Sequence, residues 1–196
     1  KSICKHNKYT MQPTKEGKIS VSVMCSDLMN LERDIKQLER NGVDYLHVDV
    51  MDAHFVPNLT FGVDFIAAMH RVTKLPLDIH LMVEHPLPIM EAMDIRPGDR
   101  ISLHVELGEQ LHELAKAVRA RGAHFGLVVN PSTPVEALTP YLDEIEWVIL
   151  MLVQPGFAGA KLIDGILDKV AAARRFLDEH GHPETEISVD GSVSCE

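Results

Sequence analysis

The sequence predicts an α/β fold, a (β/α)8-type barrel that lacks its last βα unit. Three observations predict it. Seven short β-rich runs alternate with helix-like stretches, five of those runs keep polar residues on one side-chain parity, and the chain stops just past the seventh run. Strand, helix, strand at intervals of roughly 20 to 40 residues marks parallel βαβ units.

The β-rich runs fall at residues 19–23, 44–50, 77–82, 101–105, 124–129, 147–152 and 186–190. Asp27 to Arg40 repeats apolar residues at helical spacing (Leu28, Leu31, Ile35, Leu38), as does Gln110 to Arg121 (Leu111, Leu114, Ala115, Val118). Asp27 and Thr133 serve as N-cap or pre-helix signals, and Pro134 suits a first helical position. Parity then separates an open doubly wound sheet from a barrel, because neighbouring strand residues face opposite sides. Five sets share a face: Ser20 and Ser22; His47 and Asp49; Asp78, His80 and Met82; Ser102 and His104; and Glu186, Ser188 and Asp190. Buried parallel strands are ordinarily apolar on both faces. An open sheet gathers ligand groups at one switch point, whereas a barrel spreads them over many strand ends on one rim. The barrel is therefore expected. A closed barrel has eight strands and about 250 residues, so this chain, ending at Glu196, is expected to be a fragment or an open barrel.

Composition narrows the function. The chain has 196 residues, 45% hydrophobic and 24% charged, with 19 basic against 29 acidic residues and a net charge of −10. One soluble domain fits these values, and nucleic acid is excluded as a partner because phosphate backbones demand clustered Lys and Arg. No apolar run approaches the roughly 20 residues that cross a bilayer, so no membrane partner is expected. Cys4, Cys25 and Cys195 form neither a CxxC pair nor an even framework, which reads as a reducing, cytoplasmic setting. Residues 1–17 read as a polar N-terminal extension without a signal-peptide core, and 18–196 as a C-terminally truncated barrel domain.

The strongest chemical segment runs from His47 to Asn58. His47 and Asp49 point an imidazole and a carboxylate into one space; His80 adds an imidazole from the next strand and Asp190 a carboxylate from the seventh. Alone, His47 and Asp49 are as well explained by an internal hydrogen bond. All four together would be costly polar burials without a task. The set suits a divalent first-row ion: zinc first, then iron, cobalt or manganese, with magnesium disfavoured by its preference for oxygen.

A second constellation follows strand six, Gln154-Pro-Gly156-Phe157-Ala158-Gly159. Glycines between a strand and a helix let backbone N–H groups approach an anion. Gly191 and Ser192 supply a second turn on the adjacent rim loop, and two such turns point to a phosphorylated small substrate. Met24, Met51, Met82 and Met151 are read as core or gap filling. For His104 and Asn130, on the inward parity, a structural role and substrate contact weigh equally. Asp143, Glu144 and Glu146 read as a solvated loop.

Taken together, these residues resemble the ribulose-phosphate 3-epimerase family, including its allulose-6-phosphate 3-epimerase branch. The resemblance runs from Ile19 to Ser192 through Ser20-Val-Ser22, the His47–Asn58 block, Leu77-Asp-Ile-His80-Leu-Met82, Asn130-Pro-Ser-Thr-Pro134, Pro155-Gly-Phe-Ala-Gly159 and Val189-Asp-Gly191. It implies a TIM barrel with one divalent metal on His47, Asp49, His80 and Asp190 and no organic cofactor. It further implies Asp49 and Asp190 as the acid/base pair, substrate contacts from Ser22 and His80, and a phosphate loop at Gly156–Gly159. The reaction implied is inversion of the hydroxyl-bearing carbon beside a ketone, with D-ribulose 5-phosphate to D-xylulose 5-phosphate preferred and allulose 6-phosphate to fructose 6-phosphate the alternative. Ala53 stands where many relatives carry Gly, Ala158 replaces a common Gly, and Gly191-Ser192 replaces a frequent Gly-Gly pair. The Met24-Cys25, Phe-Ala-Gly and Asp-Gly-Ser forms are closer to the allulose-phosphate branch.

Two other classes are weighed. A decarboxylase or lyase on a similar barrel would release carbon dioxide or cleave a bond, but Lys161 lies in a loop beyond strand six and is a poor Schiff-base residue. An inactive sugar-phosphate-binding barrel would follow from loss of the last unit. Unpaired edges at an open seam are expected to make the chain a homo-oligomer.

Overall fold

The computed structural model describes residues 17–193. Strands β1 (Ser20–Ser22), β2 (Tyr45–Met51), β3 (Leu77–Met82), β4 (Arg100–His104), β5 (His124–Val129), β6 (Trp147–Met151) and β7 (Glu186–Asp190) pair in chain order, each parallel to the next. Helices α1 (Leu31–Arg40), α2 (Val63–Val72), α3 (Pro86–Ala92), α4 (Leu111–Arg119) and α5 (Ile166–Glu179) connect them. Between β5 and β6 the connection is a 3₁₀ segment, Val135–Glu144, with Pro140 inside. The seven strands lie within two residues of their expected runs. The first helix starts later than expected: Asp27 accepts the backbone N–H of Met29 and the side-chain amide of Asn30, forming a turn that precedes α1.

The sheet is curled. β2 and β7 stand five places apart, about 24 Å on a flat sheet at ~4.8 Å per strand. Yet His47 Nε2 of β2 lies 3.8 Å from Asp190 Oδ2 of β7. Lys18, just before β1, likewise reaches Glu186 of β7 at 3.0 Å. Among the described residues β1 and β7 share no backbone ladder, and both strands are only half-buried.

Register delivers the parity read from sequence. Ser22 pairs with His47, His47 with Asp78, Asp49 with His80, His80 with Ser102, and Met151 with Asp190, so these side chains share the concave face. The alternate residues (Leu46, Val48 and Val50; Leu77, Ile79 and Leu81; Ile101 and Leu103; Phe125 and Leu127) are buried against the helices in one continuous core. Ile35 of α1 and Leu111, Leu114, Ala115 and Val118 of α4 fill its outer layer. Removal of this apolar surface from water is the main force holding helices to sheet.

The N-terminal end of the barrel is plugged. Arg100, 8% exposed, opens β4. Its guanidinium carbon lies 4.2 Å from the Trp147 ring centroid and 4.8 Å from that of Tyr45, and Nη1 donates to Glu186 at 3.0 Å. Gly126 makes room: a Cβ there would come within 2.4 Å of the Trp147 indole. Four strand starts are thus tied by one desolvated cation. Arg100→Met is expected to lower unfolding free energy by about 1–2 kcal/mol in urea titration, by loss of the cation–π contacts and of one of the two cations that pair with Glu186. Burial raises the Glu186 carboxyl, but Lys18 and Arg100 outweigh it and leave its pKa below the ordinary value. Its ionic contribution is therefore complete above the unfolded-state pKa and is lost as pH falls through the depressed folded-state one. The stability gap between wild type and Glu186→Gln should narrow over that acid window.

Candidate active site and metal centre

One donor atom from each of His47, Asp49, His80 and Asp190 lies within 4.8 Å of the other three. Asp49 Oδ1 is the centre of the group, 3.2 Å from both His47 Nε2 and His80 Nδ1. Asp190 Oδ2 stands 3.8 Å from the same two nitrogens. His47, Asp49 and His80 are buried, and the Asp190 side chain is 30% exposed at the mouth. The other Asp49 oxygen, Oδ2, accepts the Ser22 hydroxyl at 3.1 Å.

Behind His47 sits Asp78, buried, with Oδ2 3.0 Å from His47 Nδ1 and 2.8 Å from the Ser20 hydroxyl. That contact assigns the Nδ1 hydrogen to Asp78 and aims the Nε2 lone pair at Asp49 Oδ1. A lone pair and a carboxylate oxygen approach to 3.2 Å only around positive charge, a proton or a metal ion. Burial pushes the His47 pKa down, but Asp78 and Asp49 prevail and hold it well above the usual imidazole value. Burial likewise opposes ionisation of Asp49, and attraction to His47 and His80 overcomes it, keeping the carboxyl well below the carboxylate range. Two nitrogens and two oxygens at this spacing, each imidazole backed by a polar partner, fit a first-row divalent cation.

Loops at the C-terminal ends of the strands enclose the group. Asp52 Oδ1 accepts the N–H groups of His54 and Phe55, and Oδ2 that of Glu84, which fastens the β2 loop to the β3 loop. Asn58 donates to the Gly156 carbonyl at 2.7 Å, joining the β2 and β6 loops. Gly156, Phe157, Ala158, Gly159, Gly191 and Ser192 line the same cavity as Asp49 and Asp190. Gly156 and Gly159 have φ of 118° and 73°, and Gly191 has φ of 104° with Val153 2.5 Å from where a Cβ would lie. Ser192, φ 50°, donates its hydroxyl to the Ala160 carbonyl, so the two turns expected to cradle an anion are linked. Helix α5 begins at Ile166 and does not follow the β6 loop directly. Met51 and Met82 are buried and pack with Met24 in the cavity lining, so beside the expected gap filling they form the apolar wall that the sequence reading sets second.

His104 and Asn130 fall apart as candidates. His104 is fully buried, with Nε2 2.9 Å from His80 Nε2, whereas Asn130 gives its backbone carbonyl to Lys169 and leaves its buried side-chain Oδ1 without a partner. Asp78 was visible on the inward parity but without a partner. Glu106, 3.4 Å from His104 Nδ1, was not visible; its only sequence signal is its spacing of two from His104. Cys4 and Cys195 lie outside the described residues, and Cys25 is free and exposed.

A carboxylate–imidazole cluster at the C-terminal rim of a parallel barrel lies where barrel enzymes place their active sites, and similarity to known proteins sets the class. The description of the ribulose-phosphate 3-epimerase family matches residues 18–196. Ribulose-phosphate 3-epimerase of Bacillus subtilis (strain 168) is 40% identical over 179 residues, 91% of this chain and 82% of the relative. That of Treponema pallidum (strain Nichols) is 39% identical over 177 residues, 90% and 81% respectively. The cytoplasmic isoform of Oryza sativa subsp. japonica is 35% identical over 187 residues, 93% and 80%. The protein is thus an isomerase-class enzyme acting on carbohydrates. It belongs to the ribulose-phosphate 3-epimerase family.

Ala53 holds φ at 62°, left-handed backbone on which a Cβ costs about 1–2 kcal/mol. Ala53→Gly is expected to stabilise the fold by about 0.5–1 kcal/mol after the entropy cost of glycine. A thermal melt should show a rise of a few degrees; a fall would show that the loop relies on the methyl group.

Proposed function

We propose that this chain is a divalent-metal-dependent ketose-phosphate 3-epimerase that interconverts D-ribulose 5-phosphate and D-xylulose 5-phosphate. The observation that carries this reading is the meeting of Asp49 and Asp190, from strands five places apart, around two imidazoles at the mouth of the barrel. His47, Asp49, His80 and Asp190 would hold the ion, with zinc the best match to two nitrogens and two oxygens and iron, cobalt or manganese next. When bound, the ion supplies electrophilic stabilisation of the negative charge that develops on the ketone oxygen.

Inversion needs a proton taken from one face of carbon 3 and another delivered to the opposite face. One aspartate carboxylate removes the C3 proton. The C–H electron pair becomes the C2–C3 double bond, and the carbonyl pair moves onto oxygen to give an enediolate. The other aspartate, protonated, gives its hydrogen to the far face of C3, and the roles exchange in the reverse direction. Ser22 fixes the Oδ2 atom of Asp49, which leaves that carboxyl one defined orientation. The Gly156–Gly159 and Gly191–Ser192 turns would hold the phosphate, and the methionine wall excludes water from the flat intermediate.

Residues 18–196 are the catalytic domain in this reading, and the half-buried edges of β1 and β7 support a homo-oligomer. The name of the rice relative supports a cytoplasmic location.

Incubation of the metal-loaded protein with D-ribulose 5-phosphate in deuterated water is expected to place deuterium at carbon 3, read by NMR. Asp190→Asn should slow exchange by about 10²–10⁴-fold. Exchange at carbon 3 of allulose 6-phosphate alone would reassign the substrate, and tight binding without exchange of either would leave a sugar-phosphate-binding barrel.

A further inference from the structure

One buried polar group that the proposed chemistry leaves unused is His104, the last residue of β4, which has no solvent exposure. Its ring meets that of His80 edge to edge, with centroids 5.0 Å apart and planes 25° from parallel. The two Nε2 atoms are 2.9 Å apart, so one carries the hydrogen and the other accepts it. On its far side, His104 Nδ1 makes no hydrogen bond, and the Glu106 carboxylate lies beside it with Oε2 at 3.4 Å. Glu106 in turn accepts the Thr133 hydroxyl and lies 28% exposed near the rim.

Two hydrogen arrangements are available along this row. In the first, His80 Nδ1–H points at Asp49, His80 Nε2 accepts from His104, and the bare Nδ1 lone pair of His104 confronts the Glu106 carboxylate. In the second, His80 Nε2–H donates to His104, the Nδ1–H dipole of His104 lies beside the Glu106 carboxylate, and the Nδ1 lone pair of His80 is free to face the cluster. The negative charge of Glu106 opposes the first and favours the second. The Asp78 carboxylate does the same for His47 directly; for His80 the carboxylate acts through an intervening imidazole.

We infer that His104 and Glu106 are positioning residues that hold His80 in the tautomer whose Nδ1 lone pair faces the cation, an inference that rests on the metal-binding reading above. Neither residue lines the cavity that holds Asp49 and Asp190. Their contribution is to the affinity of the ion and to the direction of one lone pair, since a partner behind a ligating imidazole fixes its tautomer and raises its basicity.

The test is titration of Co²⁺ into metal-free protein against a chromophoric chelator. His104→Leu removes the acceptor while keeping apolar bulk, and is expected to weaken Co²⁺ binding about 10–100-fold. His104→Gln offers an amide oxygen to the same His80 N–H and should recover most of that loss. Glu106→Ala, at a partly exposed position that leaves the core intact, should weaken binding in the same direction. Nitrogen-15 NMR of the metal-free wild type should show the His80 hydrogen on Nε2. Unchanged Co²⁺ affinity in His104→Leu, or a loss in His104→Gln as large as in His104→Leu, overturns the positioning role. Wild type that binds no Co²⁺ at all overturns the metal reading instead.

Discussion

One carboxylate oxygen, Asp49 Oδ1, stands equally close to imidazole nitrogens from two different strands, and the barrel interior is built to keep it there. Asp49 and His80 are direct neighbours in the β2–β3 register, while His47 is two residues back on the same face. The register of a buried parallel sheet resists slippage, because a shift of one residue would drive these polar groups into the helix-facing core and expose Leu46, Val48 and Val50 to the cavity. The same sterically fixed alternation that buries the apolar face therefore sets the spacing of the chemical groups. Curvature does the rest: it carries Asp190 around to the cluster from the far edge of the sheet.

The two ends of the barrel divide the work. At the floor, Arg100 sits between two aromatic rings and meets Glu186, a cation fully matched by its surroundings. At the rim, Asp49, Asp190 and the Asp78 carboxylate behind His47 put negative charge around two imidazoles. An excess of acceptors in a dry site creates demand for a cation. The rim loops are held by side-chain-to-backbone bonds from Asp52, Asn58 and Ser192, so the open end is ordered by polar contacts where the floor is ordered by packing.

Much of this was legible in the residues. Strand alternation at Leu46–Val50 and Leu77–Met82 located both strands and assigned each side chain its face, because period-two patterning and burial are the same fact read twice. His47, Asp49, His80 and Asp190 could be grouped because each lies on the inward parity toward a strand end. Contacts between distant residues had no such signal. Arg100 and Trp147 meet because Gly126 leaves a gap beside them, and nothing local marks that gap. Asp78 and His104 looked like isolated polar residues, since their meaning depends on which imidazole nitrogen they face. The turn at Asp27 shows a weaker limit: the same side chain that can cap a helix can also close a turn before one.

In the proposed reading, His47, Asp49, His80 and Asp190 share one divalent ion. X-ray absorption of the zinc-loaded protein, with metal content measured on the same sample, tests it most directly. One zinc per chain is expected, in a shell of two imidazole nitrogens and two carboxylate oxygens at about 2.0–2.2 Å, with both imidazole signals lost when His47 and His80 are replaced together. A zinc shell without imidazole, or one that survives that double replacement, would contradict it.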